Sequence, residues 1–144
     1  MDVKRLLMTV LGSFVLGSLL FTAPALADNV VVVGGWSEDS GYFTTLPASR
    51  AGQPQHTGQT EQRSVNGTTN KRAHGWTTWV GQYHFTRACM EHNGIFCNGQ
   101  IITDSQRQWG FDGTEAISPW TAFNPNKCCG NLGSGRTYYG LTYS

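Results

Sequence analysis

Apolar residues along this chain come in short runs cut by glycine, asparagine and proline, a spacing that suits strands and tight turns. Residues 29–36 carry four consecutive valines and end on Gly34-Gly35-Trp36. They predict a first strand that is covered on both faces, or short and central. Residues 41–46 predict a second strand. From Tyr83 the alternation is regular. Tyr83, Phe85, Arg87 and Cys89 share one face, and His84, Thr86, Ala88 and Met90 share the other. Turns at 92–94 and at Asn98-Gly99 bracket a short return run at 95–98, and a strand follows at 100–104. Asp112-Gly113 predicts another turn. Residues 114–118 predict a strand stopped by Pro119, and residues 136–144 a closing strand. Turn signals recurring about every 8–12 residues mark a sandwich or barrel. The predicted fold is all-β, a small antiparallel β-sandwich or flattened barrel.

Residues 47–75 break the pattern. They hold no aromatic residue and only Val65 among the branched apolar ones. So little surface can be buried there that the segment predicts a long polar, mobile loop. Within it, Asn66-Gly67 suits a type I′ turn and at most a short hairpin. Asn66-Gly67-Thr68 is formally a glycosylation sequon and is read as a turn.

The N-terminus changes the picture of where the chain acts. Lys4 and Arg5 precede an apolar run from Leu6 to Phe21; Pro24 breaks it, and Ala25-Leu26-Ala27 supplies small residues where a signal peptidase reads. Residues 1–27 are expected to be a cleaved secretory signal. Residues 28–144 would then form one secreted β domain, extracellular or periplasmic, with no stable membrane anchor. Loss of Lys4, Arg5 and Asp2 takes the chain from 10 basic and 9 acidic residues to 8 of each. No basic excess remains to neutralise phosphates, so nucleic acid is not an expected partner. Leucine nearly vanishes after the leader, leaving Leu46, Leu132 and Leu141, while all five tryptophans remain, which again favours strands over helices.

The four cysteines, Cys89, Cys97, Cys128 and Cys129, predict a disulfide-stapled domain in an exported chain. A three-residue turn at 92–94 would set Cys89 opposite Cys97. A two-residue turn at Asn93-Gly94 would point them to opposite faces and suit separate bridges to Cys128 and Cys129. The second arrangement is the expected one, with the pairing left open. No C-x-x-C or H-x-x-x-H spacing is present, and neither a metal nor another cofactor is expected.

No nucleophile elbow, zinc-protease helix, phosphate loop or dinucleotide fingerprint occurs, so no catalytic residue is assigned. Glu91, Asp104, Asp112 and Glu115 are the carboxylates a small hydrolase could use, although no spacing pairs them. Residues 133–136, Gly-Ser-Gly-Arg, form either a small anion nest or the turn before the last strand. The aromatic residues are more suggestive. Trp76 and Trp79 follow Lys71, Arg72 and His74, and Tyr138 and Tyr139 lie near the end. Rings beside Asn, Gln and Thr suit stacking on sugars, so these four are the candidate ligand-binding residues. Gly34-Gly35-Trp36 and the tyrosine-rich end resemble the secreted bacteriocins of the lactococcin 972 type. That resemblance implies a small exported β-sandwich that interferes with cell-wall assembly, although the cysteine-bearing middle has no counterpart there. The leading expectation is a secreted, non-catalytic binding protein for a cell-envelope glycan or other extracellular surface. A bacteriocin-like toxin and a small secreted hydrolase are the alternatives.

Overall fold

The strand on which the others assemble is β4 (Thr68–Glu91), 24 residues long. Along one edge its first half pairs with β3 (Gln55–Val65) and its second half with β8 (Ser134–Tyr143). Its other edge carries β7 (Thr121–Ala122), β6 (Gln108–Ile117) and β5 (Ile101–Asp104) in turn. Beyond β8 lie β1 (Asn29–Ser37) and then β2 (Gly41–Thr44). The result is one antiparallel sheet of eight strands, not closed into a barrel. This computed structural model describes residues 29–46, 52–93, 99–126 and 132–143, so the leader expected at 1–27 lies outside them.

The expected polar loop at 47–75 is corrected over most of its length. Residues 55–65 and 68–78 pair one to one across Asn66-Gly67, both with positive φ, as a two-residue hairpin turn requires. Here a strand needs no apolar stripe, because its inner side meets a polar interior. Gly58 and Gly75 face β8 and β1 so closely that a methyl on Gly75 would stand 2.8 Å from Thr137 Cγ2, and one on Gly58 2.7 Å from Trp36 Cβ. Side chains that fit such a gap are small and mostly hydroxylated: Thr77, Thr86, Thr137, Ser118 and Ser134 are all buried. Buried apolar side chains flank this interior: Phe85, the largest fully buried one, and two clusters. One is Ala73, Ala88, Met90 and Ala116; the other is Val33, Tyr139 and Leu141. Of the valine run only Val33 is fully buried, while Val31 and Val32 are exposed.

Buried hydroxyls must be paired, and here they form a chain. Thr86 Oγ1 lies 2.6 Å from Thr114 Oγ1 and donates to Thr77 Oγ1 at 2.6 Å. Thr77 Oγ1 lies 2.9 Å from His56 Nδ1, and His56 Nε2 lies 2.7 Å from Thr137 Oγ1. Running from Thr114 to Thr137, each hydroxyl hydrogen is used once if His56 is neutral with its proton on Nε2. Burial pushes the His56 pKa down to about 4, against a smaller opposing contribution from the Trp76 backbone.

Two other turn expectations are corrected. Asp112-Gly113 does not end a strand, because β6 runs through it with Asp112 at φ 62. The break lies opposite, in β4. Trp79 pairs with Asp112 and Tyr83 with Phe111, leaving 80–82 unpaired; Gly81 takes φ 73 and donates its N–H to Asp112 Oδ1 at 2.7 Å. The turn after β4 is also longer than two or three residues. Cys89 pairs with Asp104, and His92 N donates to Gln100 O, so the connection spans 93–99 and neither expected cysteine register forms.

Gly75→Ala should destabilise the fold by about 1–3 kcal/mol, because the added methyl overpacks a gap walled by β8. Gly113→Ala, where a methyl meets nothing within 4 Å, should stay within about 0.5 kcal/mol of the parent. Urea denaturation measures both, and equal midpoints would refute the close-packing account. The depressed pKa of His56 also sets a pH dependence. The unfolded chain binds this proton near pH 6.5 and the folded one only near 4, so stability falls as pH drops through that window, by up to about 2–3 kcal/mol. His56→Gln should flatten that slope in thermal melts, and an unchanged slope would exclude His56 as its source.

Candidate functional site

The outer face of β3, β4 and β6 carries a charged clamp. Residues 72, 74 and 76 of β4 point away from the interior, with Glu61 on β3 and Glu115 on β6 as neighbours. His74 Nδ1 lies 2.6 Å from Glu61 Oε1 and its Nε2 lies 2.6 Å from Glu115 Oε1. Arg72 Nε donates to Glu61 Oε2 at 2.7 Å, and Trp76 Nε1 donates to Glu115 Oε1 at 3.0 Å. Trp76 also covers the imidazole, with ring centroids 3.7 Å apart. The hydrogen bond from His74, and then Arg72, hold the Glu61 carboxyl below its usual range. Surface ion pairs contribute only about 0–1 kcal/mol each, so the clamp acts chiefly on register by joining three strands through one ring. Both carboxylates are occupied by protein donors. Beyond the clamp, Arg63 and Arg72 stack on Trp120 at 4.2 and 4.5 Å.

The face made by the second half of β4 with β6, β8 and β1 is different. Here Tyr83 pairs with Phe111, Phe85 with Trp109 and Gly140, and Arg87 with Tyr138. Tyr83 stacks on Trp109 at 5.4 Å and 17°, and meets Phe111 at 5.1 Å. Phe85 is buried under this layer, against Trp109 at 5.0 Å. Tyr83 remains 45% and Phe111 63% exposed, far more than a core ring. The Tyr83–Trp109 stack borders a cleft of about 480 Å³ with Val30, Arg107 and Thr142 on its other walls. A second cleft of about 290 Å³ also takes Arg107 as wall, with Phe85, Arg87, Glu91 and Tyr138.

The four predicted ligand-binding residues are not brought together. Trp76 belongs to the clamp. Trp79 and Tyr139 meet edge to face at 6.4 Å, and Tyr139 is 5% exposed, so this pair packs in the core. A cleft of about 240 Å³ between Tyr42, Phe43, Pro54 and His56 reaches Tyr139. Tyr138 lines the second cleft and donates to Glu91 Oε1 at 2.6 Å; burial, then Glu91, raises its pKa. The residues that sequence reasoning passed over are Trp109 and Phe111, because the Asp112-Gly113 turn signal hid the strand that carries them. The shared face of Tyr83, Phe85 and Arg87 was the available clue.

The carboxylates are each engaged separately. Glu91 takes Tyr138 and stands 3.3 Å from Arg136 Nε; Asp104 takes the fork of Arg87, its Nε at 2.9 Å; Asp112 takes Gly81 N–H; Glu115 is in the clamp. The Arg87 fork is the main cause of the lowered Asp104 pKa. In residues 133–136, Gly133 makes the turn at φ 76, and the Gly135 N–H donates to the protein's own Glu38 carboxylate at 3.0 Å. Among the described residues the expected staple is not found. Cys89 carries a free, buried thiol that donates to Asp104 Oδ1 at 3.4 Å, and burial pushes its pKa up to about 12. Cys97, Cys128 and Cys129 lie outside the described residues.

Among the described residues, no group of three or more His, Cys, Asp or Glu side chains is placed to hold a metal ion. Compared with family models, with curated proteins and with solved structures, the chain matches none, and the face of β4, β6, β8 and β1 stands as a candidate on its geometry alone.

Proposed function

We propose that this is a non-catalytic binding protein that lays the exposed aromatic strip of β4 and β6 against a glycan of the cell envelope or another extracellular surface. The observation that carries this reading is the strip itself: Tyr83, Trp109 and Phe111 side by side on a sheet, the first and last largely open to solvent. Large exposed apolar patches on small proteins mark binding surfaces. Aromatic rings contribute wide contact area at little entropic cost, and their faces suit the C–H faces of sugar rings. Thr142 and Arg107 on the cleft walls supply the polar contacts that hydroxyls need. The leader-like residues 1–27 support an extracellular place of action.

Pull-down on insoluble chitin, cellulose and bacterial peptidoglycan, followed by titration with soluble fragments, tests the reading. Binding to at least one should fall about tenfold or more in Tyr83→Ala and in Phe111→Ala. Both side chains are exposed, so the fold should survive, which melting curves verify. Trp76→Ala should leave affinity unchanged, because its ring serves the clamp. Binding that persists in the Tyr83/Phe111 double variant, or that depends on Trp76 instead, would overturn the proposal.

A further inference from the structure

We infer that Arg107 selects for acidic glycans, reading a carboxylate on the sugar chain that the aromatic strip holds; this rests on the glycan-binding reading above. Four of the six Lys and Arg side chains among the described residues are held in ion pairs. Lys71 pairs with Glu38, Arg72 with Glu61, Arg87 with Asp104 and Arg136 with Glu91. None of the ion pairs among these residues includes Arg107 or Arg63. Arg63 lies on the clamp face, stacked on Trp120. Arg107 lies on the aromatic face, where it walls both clefts.

The second cleft contains other charges, and they cancel. Arg87 is neutralised by the two oxygens of Asp104, and Glu91 by Arg136 with a hydrogen bond from Tyr138. The charge left over where the clefts adjoin is that of Arg107. Its guanidinium carbon lies 5.3 Å from the Phe85 ring centroid, so the plane is steadied by an aromatic surface while the side chain stays exposed. A guanidinium offers paired N–H donors whose spacing matches a carboxylate, and it is more readily desolvated than an ammonium. A glycan lying along Tyr83 and Trp109 would bring its ring substituents to this side chain. A carboxylate there completes an ion pair, whereas a hydroxyl or ester leaves the guanidinium with a weaker acceptor. The specificity is therefore for uronic-acid-type polysaccharides over their neutral counterparts.

Polygalacturonate and its methyl ester share a backbone and differ in this charge. Affinity electrophoresis and calorimetry should show the parent protein binding the acid form about tenfold more tightly than the ester. Arg107→Gln should bring the two within about twofold, with the acid form losing much more affinity than the ester, and Arg63→Gln should leave the preference intact. The preference should shrink when salt is raised from about 0.1 M to 0.5 M. Dextran sulfate against dextran serves as a third arm; an equal or larger Arg107-dependent gain there would overturn carboxylate selection in favour of a general anion contact. Equal binding of acid and ester, or of parent and Arg107→Gln, would overturn the inference and leave the aromatic platform standing. So would binding to a neutral glycan with none to either galacturonan. Absence of binding to every glycan tested would remove both readings.

Discussion

The distance between the β3–β4 hairpin and β8 governs the rest of this molecule. Gly58 and Gly75 on one side and Thr137 on the other approach so closely that a β-carbon does not fit. At Gly58 and Gly75 the gap leaves room for little more than hydroxyls and methyls. The interior is therefore a chain of threonines closed by His56, with apolar clusters pushed to its flanks. Such a core trades hydrophobic burial for hydrogen bonds, whose net contribution is about 1 kcal/mol each but whose loss leaves a buried orphan at greater cost. It also makes the fold's stability sensitive to a single imidazole proton.

Because β4 runs through both halves of the sheet, it couples features that would otherwise be independent. Its first half holds the His74 clamp and its second half the aromatic strip. Between them the unpaired residues 80–82 bend the strand, and Gly81 is pinned by Asp112. The bend lets one strand turn a charged, self-satisfied face and an aromatic, open face in different directions. On the clamp face Glu61, Arg72, His74, Trp76 and Glu115 answer one another, and Arg63 lies on Trp120. On the other face the rings and one guanidinium are left without such answers, and that contrast separates a structural surface from a binding one.

Much of the fold was legible in the chain. The first strand, the Asn66-Gly67 turn and the faces of 83–90 follow from alternation and from residues that tolerate positive φ. The polar hairpin at 55–75 was not legible, because the search for strands assumes an apolar inner side and this one faces hydroxyls. Asp112-Gly113 misled for a related reason. The dipeptide does carry the backbone distortion it advertises, at φ 62 for Asp112, but the distortion is absorbed by a bulge in the partner strand instead of reversing the chain. The register of Cys89 failed because Asn93-Gly94 suggested a tight turn, whereas β5 pairs from Ile101 onward. Local turn chemistry was readable in each case. What it was paired against depends on residues far along the chain.

The placement of the rings bears on function. A chain with this many rings and so few leucines would ordinarily bury the rings. Here Phe85 and Tyr139 are buried, but Tyr42, Phe43, Tyr83 and Phe111 remain exposed while Trp76, Trp109 and Trp120 lie partly exposed on the outside. Aromatic residues retained on a surface that they do not stabilise by burial need another reason to be there, since each exposed ring favours self-association. Tyr42 and Phe43 have an edge strand to protect, Trp76 lies against the His74 ring, and Trp120 carries the guanidinium groups of Arg63 and Arg72. Tyr83, Trp109 and Phe111 have one another, the buried Phe85 beneath Trp109 and the cleft beside them. Their arrangement side by side on a sheet, next to the one cleft-lining guanidinium without a carboxylate among the described residues, is the arrangement of a surface that waits for a ligand.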